Sequence, residues 1–339
     1  MHANAAPKRH SLGKAGVWLS FLLSALFVSG VASAATALSE ATMAYPAPGR
    51  LFDVGGRSLH LYCIGKGRPT VVMEAGGSAY SIDWSLVQPA LSQRTRVCSY
   101  DRAGLGWSQP GPQDETVEQT VSDLHSLLAA AGEQRPFVLV GASIGGIFIQ
   151  AYQHAYPSDV VALVFDNSSY RIGLTVNGKD GLIWQLSEDQ IRSAFPLPAS
   201  LKGPAPASEG APFDRLPPSL QAERLWLDTQ AWKNWQPSKA TPDSTLSWRN
   251  EFLREFDVSA APACPLAKLP VVVASSFPPA QKYDRASRDN ASDRLDFLSC
   301  NTVHVTAEKS GHEIHLYQPQ VIISAVLRAI SESDLNGSR

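Results

Sequence analysis

The sequence lacks an excess of charge of either sign. Its 29 Lys and Arg stand against 31 Asp and Glu, spread along the chain for a formal net charge of −2. That leaves no basic face to track phosphates and no acidic tail, which excludes a nucleic-acid-binding role. Internal repeats are also lacking, so the 339 residues form one domain with insertions or two of ordinary size. Cysteine is scarce, at four residues. No motif for a bound cofactor is found, and the HEIH stretch at 312–315 lacks the four-residue spacing and third ligand of a zinc protease helix, which argues against a metal.

The first residues present read as an export signal. Lys8, Arg9 and Lys14 precede the uncharged run AGVWLSFLLSALFVSGV, and Ala32 and Ala34 have the A-x-A spacing of a cleavage site. The expected arrangement is a signal peptide over 1–34, a linker over 35–50, and a periplasmic or secreted protein. The alternative is an uncleaved membrane anchor, although the run is shorter than the roughly 20 residues of a spanning helix. Export permits disulfides. Cys264 and Cys300 flank one strand and the approach to the next, whereas Cys63 and Cys98 lie in two earlier strand-like runs. The expected pairs are Cys63 with Cys98 and Cys264 with Cys300. The alternative for the first pair is that Cys98 is a small buried residue.

Along the mature chain, LFDVGG and RSLHLYCIG read as a hairpin around Gly-Gly, and PTVVM as a buried strand ending in glycines. DWSLVQPALSQ reads as an amphipathic helix, TRVCSYD as a strand and TVEQTVSDLHSLLAAAG as a helix stopped by Gly132. PFVLV, IFIQAYQHAY, VVALVFD, LPVVV and NTVHV continue the alternation, and QPQVIISAVLRAI is a terminal helix. Strands alternating with helices mean an α/β fold, a mostly parallel sheet covered on both faces. Prolines and five tryptophans (Trp184, Trp226, Trp232, Trp235 and Trp248) crowd the interval 171–262. It reads as a helical insertion between a first core part, 51–170, and a second, 263–330, before a tail at 331–339.

Gly141-Ala142-Ser143-Ile144-Gly145 matches G-x-S-x-G between a strand and a helix. In that context the serine projects from a strained turn as a nucleophile, and small flanking residues avoid collisions. The helix that follows aims its positive end at the reacting centre. The N–H of Ile144 is one expected oxyanion donor, and Gly77, or alternatively Gly76, supplies the other from the loop after PTVVM. Glycines that merely make a turn are the competing explanation. Of eight histidines, His312 in Ser310-Gly311-His312 lies on a loop downstream of the serine and fits the general base. His315, three residues on, is the alternative and fits packing or a supporting place behind the site. Asp101-Arg102 reads as a turn clamp, and at most as a wall of the site.

PTVVMEAGG, SYDRAGLGWS, LVGASIGG, LVFDNS, LPVVV and SGHEIHLYQP together resemble the α/β-hydrolase superfamily from about Leu51 to Ile330. The resemblance implies an eight-stranded sheet, a cap between the sixth and seventh strands, and a nucleophile, acid and histidine in that order. Glu74-Ala75 stands where many members have His-Gly, and Ala142 where many have His. The acid is usually supplied after the seventh strand, yet LPVVVASSFPPA carries no carboxylate there. The other placement in the superfamily is the end of the sixth strand, and VALVF ends in Asp166. Asp166 is therefore the expected acid, with Asp284, Asp289 and Asp293 as alternatives and capping of the DNSS turn as its structural role. A serine at the turn argues against the dehalogenase and epoxide hydrolase chemistry that the resemblance assigns to aspartate. Cleavage of an ester or related acyl bond, with no cofactor, is the expected activity, on a substrate that is apolar or aromatic if the tryptophans line its site.

Overall fold

The computed structural model describes residues 45–111, 117–168, 175–177, 183–185, 210–234, 264–276 and 298–337. The export segment, most of the 171–262 insertion, and Asp284, Asp289 and Asp293 lie outside the described residues.

Eight strands form one sheet. In chain order they are β1 (Arg50–Asp53), β2 (Ser58–Ile64), β3 (Thr70–Glu74), β4 (Val97–Tyr100), β5 (Phe137–Ala142), β6 (Val160–Asp166), β9 (Val271–Ser276) and β10 (Thr302–Ala307), and their spatial order is β1-β2-β4-β3-β5-β6-β9-β10. β2 pairs antiparallel with β1 and β4, and every other neighbouring pair is parallel. The first hairpin turns at Gly55-Gly56, whose N–H groups both donate to Asp53 Oδ1, at 2.9 and 2.7 Å.

The apolar strand runs are buried on both faces. On one, Val72, Leu139, Leu163, Phe165 and Val273 pack against helices α2 (Val117–Ala131) and α3 (Gly145–Ala155). On the other, Val71, Met73, Val138, Val140, Val164 and Val272 meet Trp84, Leu91 and helix α6 (Pro319–Gly337). Alternate strand residues supply the two faces because successive side chains point to opposite sides of a pleated strand. Burial of this kind supplies most of the driving force for folding.

DWSLVQPALSQ is not one helix. It splits into a 3₁₀ segment, Ser81–Leu86, and the four-residue helix α1 (Gln88–Leu91). Pro89 has no N–H to continue the helical ladder across that point. The terminal helix α6 runs on to Gly337, through the segment expected to be a tail. Within the insertion, the described residues form a small hairpin, β7 (Thr175–Asn177) with β8 (Ile183–Gln185), and helix α4 (Pro218–Asn234). Helix α5 (Ile314–Tyr317) follows β10.

All four cysteines are in disulfides, paired as expected. Cys63 and Cys98 face each other in register on β2 and β4, with Cα atoms 4.0 Å apart. Cys264 and Cys300 join the approaches to β9 and β10, with Cα atoms 5.2 Å apart. No described helix is long and apolar enough to cross a membrane.

Candidate active site

β5 is buried along its whole length and delivers Ser143 at a backbone φ of +52°. A left-handed conformation is uncommon for a residue other than glycine, and such strain collects at functional sites. Space explains the flanking glycines. A Cβ on Gly141 would lie 2.6 Å from the Gly145 carbonyl, and one on Gly145 would lie 2.6 Å from the Glu74 carbonyl oxygen. The Ser143 N–H donates to the Asp166 carbonyl at 3.0 Å, which ties the turn to the end of β6. Ile144 caps the N-terminus of α3, where backbone N–H groups have no partner within the helix.

The loop after β3 lies directly against this turn. A Cβ on Gly76 would sit 3.5 Å from Ser143 Cβ, and one on Gly77 would sit 3.8 Å from Ile144 Cγ2. Arg102 holds the loop from the other side. Its Nη1 donates to Glu74 Oε1 (2.6 Å) and to the Ala75 carbonyl (2.7 Å), and its Nη2 donates to the Gly76 carbonyl (2.7 Å). In a trans peptide the N–H points opposite to the carbonyl of the same unit. With both carbonyls turned to Arg102, the N–H groups of Gly76 and Gly77 point away from it.

Glu74 is buried and also accepts from the Tyr100 hydroxyl. Burial pushes its carboxyl up, opposed by the Arg102 charge and by hydrogen bonds from Tyr100 and Arg102. Asp101 is the clamp expected of it, accepting from the Ser81 N–H (2.7 Å) and Trp107 N–H (3.2 Å) and pairing with His60 Nδ1 (2.7 Å). Arg102 combines the clamp with the expected place at the wall of the site, since it holds the loop beside the serine. A signal for this was present: Glu74 ends one buried strand and Arg102 follows another, and a buried charge there needs a partner.

His312 lies on the exposed loop after β10 and His315 is buried on α5. The expected contact of Asp166 with His312 is absent among the described residues. Asp166 Oδ2 instead pairs with His315 Nδ1 at 2.5 Å, beneath Trp84, whose ring centroid is 4.6 Å from that of His315. Strand alternation is the reason. Asp166 shares the face of Val164, which packs with Trp84 and Ile314. Burial pulls the His315 imidazole down, but the Asp166 charge and hydrogen bond, with Asp83 and Glu313 adding, outweigh it and leave it raised. The residue on His312 is Asn167, which no sequence signal singled out. Its Nδ2 lies 2.9 Å from His312 Nδ1 and donates to the His312 carbonyl at 3.0 Å. Among the described residues no hydrogen bond joins Ser143 Oγ to His312, a bond that is often long without substrate.

Helix α4 is latched beside the Gly76-Gly77 loop by Arg224. This buried side chain donates to Asp83 Oδ1 (2.9 Å), Asp228 (3.1 Å) and the Ser78 carbonyl (3.3 Å), and it lies 3.5 Å above the Phe213 ring. Trp226 on this helix packs with Tyr80, Ile82, Trp107 and Leu227, as part of the contact between α4 and the sheet domain. The side chains of Trp184, Trp232, Trp235 and Trp248 lie outside the described residues.

Comparison with known proteins bears on the fold. A model of the alpha/beta hydrolase family matches residues 71–325. A probable transporter, efuK, of Hormonema carpetanum is 24% identical over 317 residues, covering 85% of this chain and 43% of that protein. The chain spans half or less of the length of the first curated relatives it matches. Among solved structures, a serine hydrolase involved in carbazole degradation aligns with a TM-score of 0.55 at 19% identity, covering 83% of this chain and 98% of the other. The esterase EaEST of Exiguobacterium antarcticum aligns with a TM-score of 0.57 at 16% identity, covering 84% and 99%. These likenesses show the α/β-hydrolase fold.

Proposed function

The chain belongs to the alpha/beta hydrolase family, and from that premise we propose that it is a serine hydrolase cleaving a carboxylic ester, or a related acyl bond, of a small molecule. The observation that carries this is Ser143 at φ +52° between β5 and α3, with the Gly76-Gly77 loop packed against it. Ser143 Oγ attacks the acyl carbon while His312 takes its proton. The oxyanion is received by the N–H of Ile144 and that of Gly77, with Gly76 as the alternative. Collapse expels the alcohol, which takes the proton from His312, and leaves an acyl-serine that water then hydrolyses.

Asp166, expected as the acid, pairs with His315. Its role is to anchor α5 and the loop that bears His312 to the end of β6. Amide or lactone hydrolysis and acyl transfer use the same groups, so a panel of esters, amides and lactones separates them. The rival of another class is a binding protein without catalysis, since the fold by itself does not fix function. A fluorophosphonate probe decides between the two. Labelling is expected in the wild type and lost in Ser143→Ala, whereas an unlabelled wild type that hydrolyses no activated ester ends the hydrolase reading.

The two disulfides fit an oxidising compartment. With Lys8, Arg9, the apolar run and Ala32-x-Ala34, they support export and cleavage after Ala34. Sequencing the N-terminus of the exported protein tests this, and retention of the first 34 residues indicates the anchored form instead.

A further inference from the structure

We propose that Asn167 sets the position and tautomer of His312, so that a neutral amide stands where a hydrolase would hold a carboxylate. The proposal rests on His312 being the base of the reaction above. Asn167 closes β6 in a left-handed conformation, φ +46°, with its N–H donating to the Ala274 carbonyl of β9 at 2.8 Å. Its side chain then makes three contacts: Oδ1 accepts the Ser276 N–H at 3.1 Å, Nδ2 donates to the His312 carbonyl at 3.0 Å, and Nδ2 faces His312 Nδ1 at 2.9 Å. One residue thereby joins the ends of β6 and β9 to the histidine loop.

The orientation of the amide follows from its other partners. A backbone N–H can only donate and a carbonyl can only accept, so Oδ1 belongs to Ser276 and Nδ2 to His312. His312 Nδ1 must then accept, and the neutral ring carries its proton on Nε2. A ring that is to take the Ser143 proton on Nε2 needs its own proton on Nδ1. The resting arrangement is therefore a brake. Activation requires the amide to turn its oxygen to Nδ1, giving up the bonds to Ser276 and to the His312 carbonyl. Among the described residues, the charged groups on the adjoining elements do not replace a carboxylate here, because Asp166 is paired with His315 and Asp83 with Arg224; Asp284, Asp289 and Asp293 lie outside them. Glu313 is next to His312 in the chain, and its charge is felt at His315.

Asn167→Asp separates the two requirements, since a carboxylate accepts from both the Ser276 N–H and a His312 Nδ1–H. The experiment records ring ¹⁵N shifts in histidine-labelled protein at a pH where the ring is neutral, with His312 assigned by His312→Gln. The wild type is expected to show the Nε2–H tautomer and Asn167→Asp the Nδ1–H tautomer. In parallel, kcat on p-nitrophenyl acetate is expected to rise about tenfold in Asn167→Asp with KM unchanged. Asn167→Ala, which frees the ring, is expected to show averaged shifts of exchanging tautomers, and it serves if the aspartate variant does not fold. An Nδ1–H wild type, or the same tautomer in wild type and both variants, overturns the proposal. Failure of both fluorophosphonate labelling and activated-ester hydrolysis would end the hydrolase reading, while the ring shifts still decide what Asn167 does.

Discussion

His312 and His315 are three residues apart, and their partners, Asn167 and Asp166, are consecutive, yet the two pairs are opposites. One is exposed and held by a neutral amide, whereas the other is buried and held by a carboxylate at 2.5 Å. The difference shows how a fold can separate anchoring from chemistry. A buried ion pair must keep both partners because an uncompensated charge is expensive inside a protein. An exposed imidazole held only by a neutral amide can change its proton and its neighbour once that amide turns.

That contrast is broken most severely by removing each imidazole in turn. His312→Ala is expected to lower kcat/KM by about 10²–10⁴-fold with the melting temperature almost unchanged, whereas His315→Ala should show the reverse balance. Asp166→Ala, which strands His315, is expected to cost about 3–5 kcal/mol in urea unfolding; little loss of stability there would mean that the pair is not the anchor. Arg102→Lys loses the forked grip on Glu74, Ala75 and Gly76. It is expected to reduce kcat by up to about 10²-fold through a misplaced oxyanion loop, and an unchanged kcat would detach Arg102 from the site.

The smallest expected effect is on pH. Because the His315 imidazole is raised on folding, the folded state binds its proton more tightly than the unfolded state. The stability this adds is complete below the unfolded value and is lost as pH rises through the folded one. Unfolding free energies of wild type and His315→Gln should thus converge as pH rises from the acid side, and a gap that widens with pH contradicts the raised imidazole.

Much of the site was legible because it is local. Gly141 and Gly145 are required by contacts within a few residues of Ser143 or with the strand beside it, and the α/β rhythm places that strand. The choice between Asp166 and Asn167 was not legible, because it depends on which sheet face the last β6 residue shares and on a left-handed backbone at the next. Neither leaves a spacing in the sequence. The link from Arg102 to the Gly76-Gly77 loop was half legible: the charges were visible at two strand ends, but their meeting needs β3 and β4 side by side.

The sequence by itself determined the alternation of strands and helices, the strained serine and the two glycine-rich approaches to it, since each rests on short-range sterics or on strand patterning. The disulfide pairing it left open was settled by the register of β2 on β4 and by the neighbouring approaches to β9 and β10. Tertiary structure alone decided which side chain holds which histidine. Hydrogen bonds of about 3 Å join residues nearly 150 positions apart in the chain, and only strand register and the direction of each Cβ bring such partners within reach.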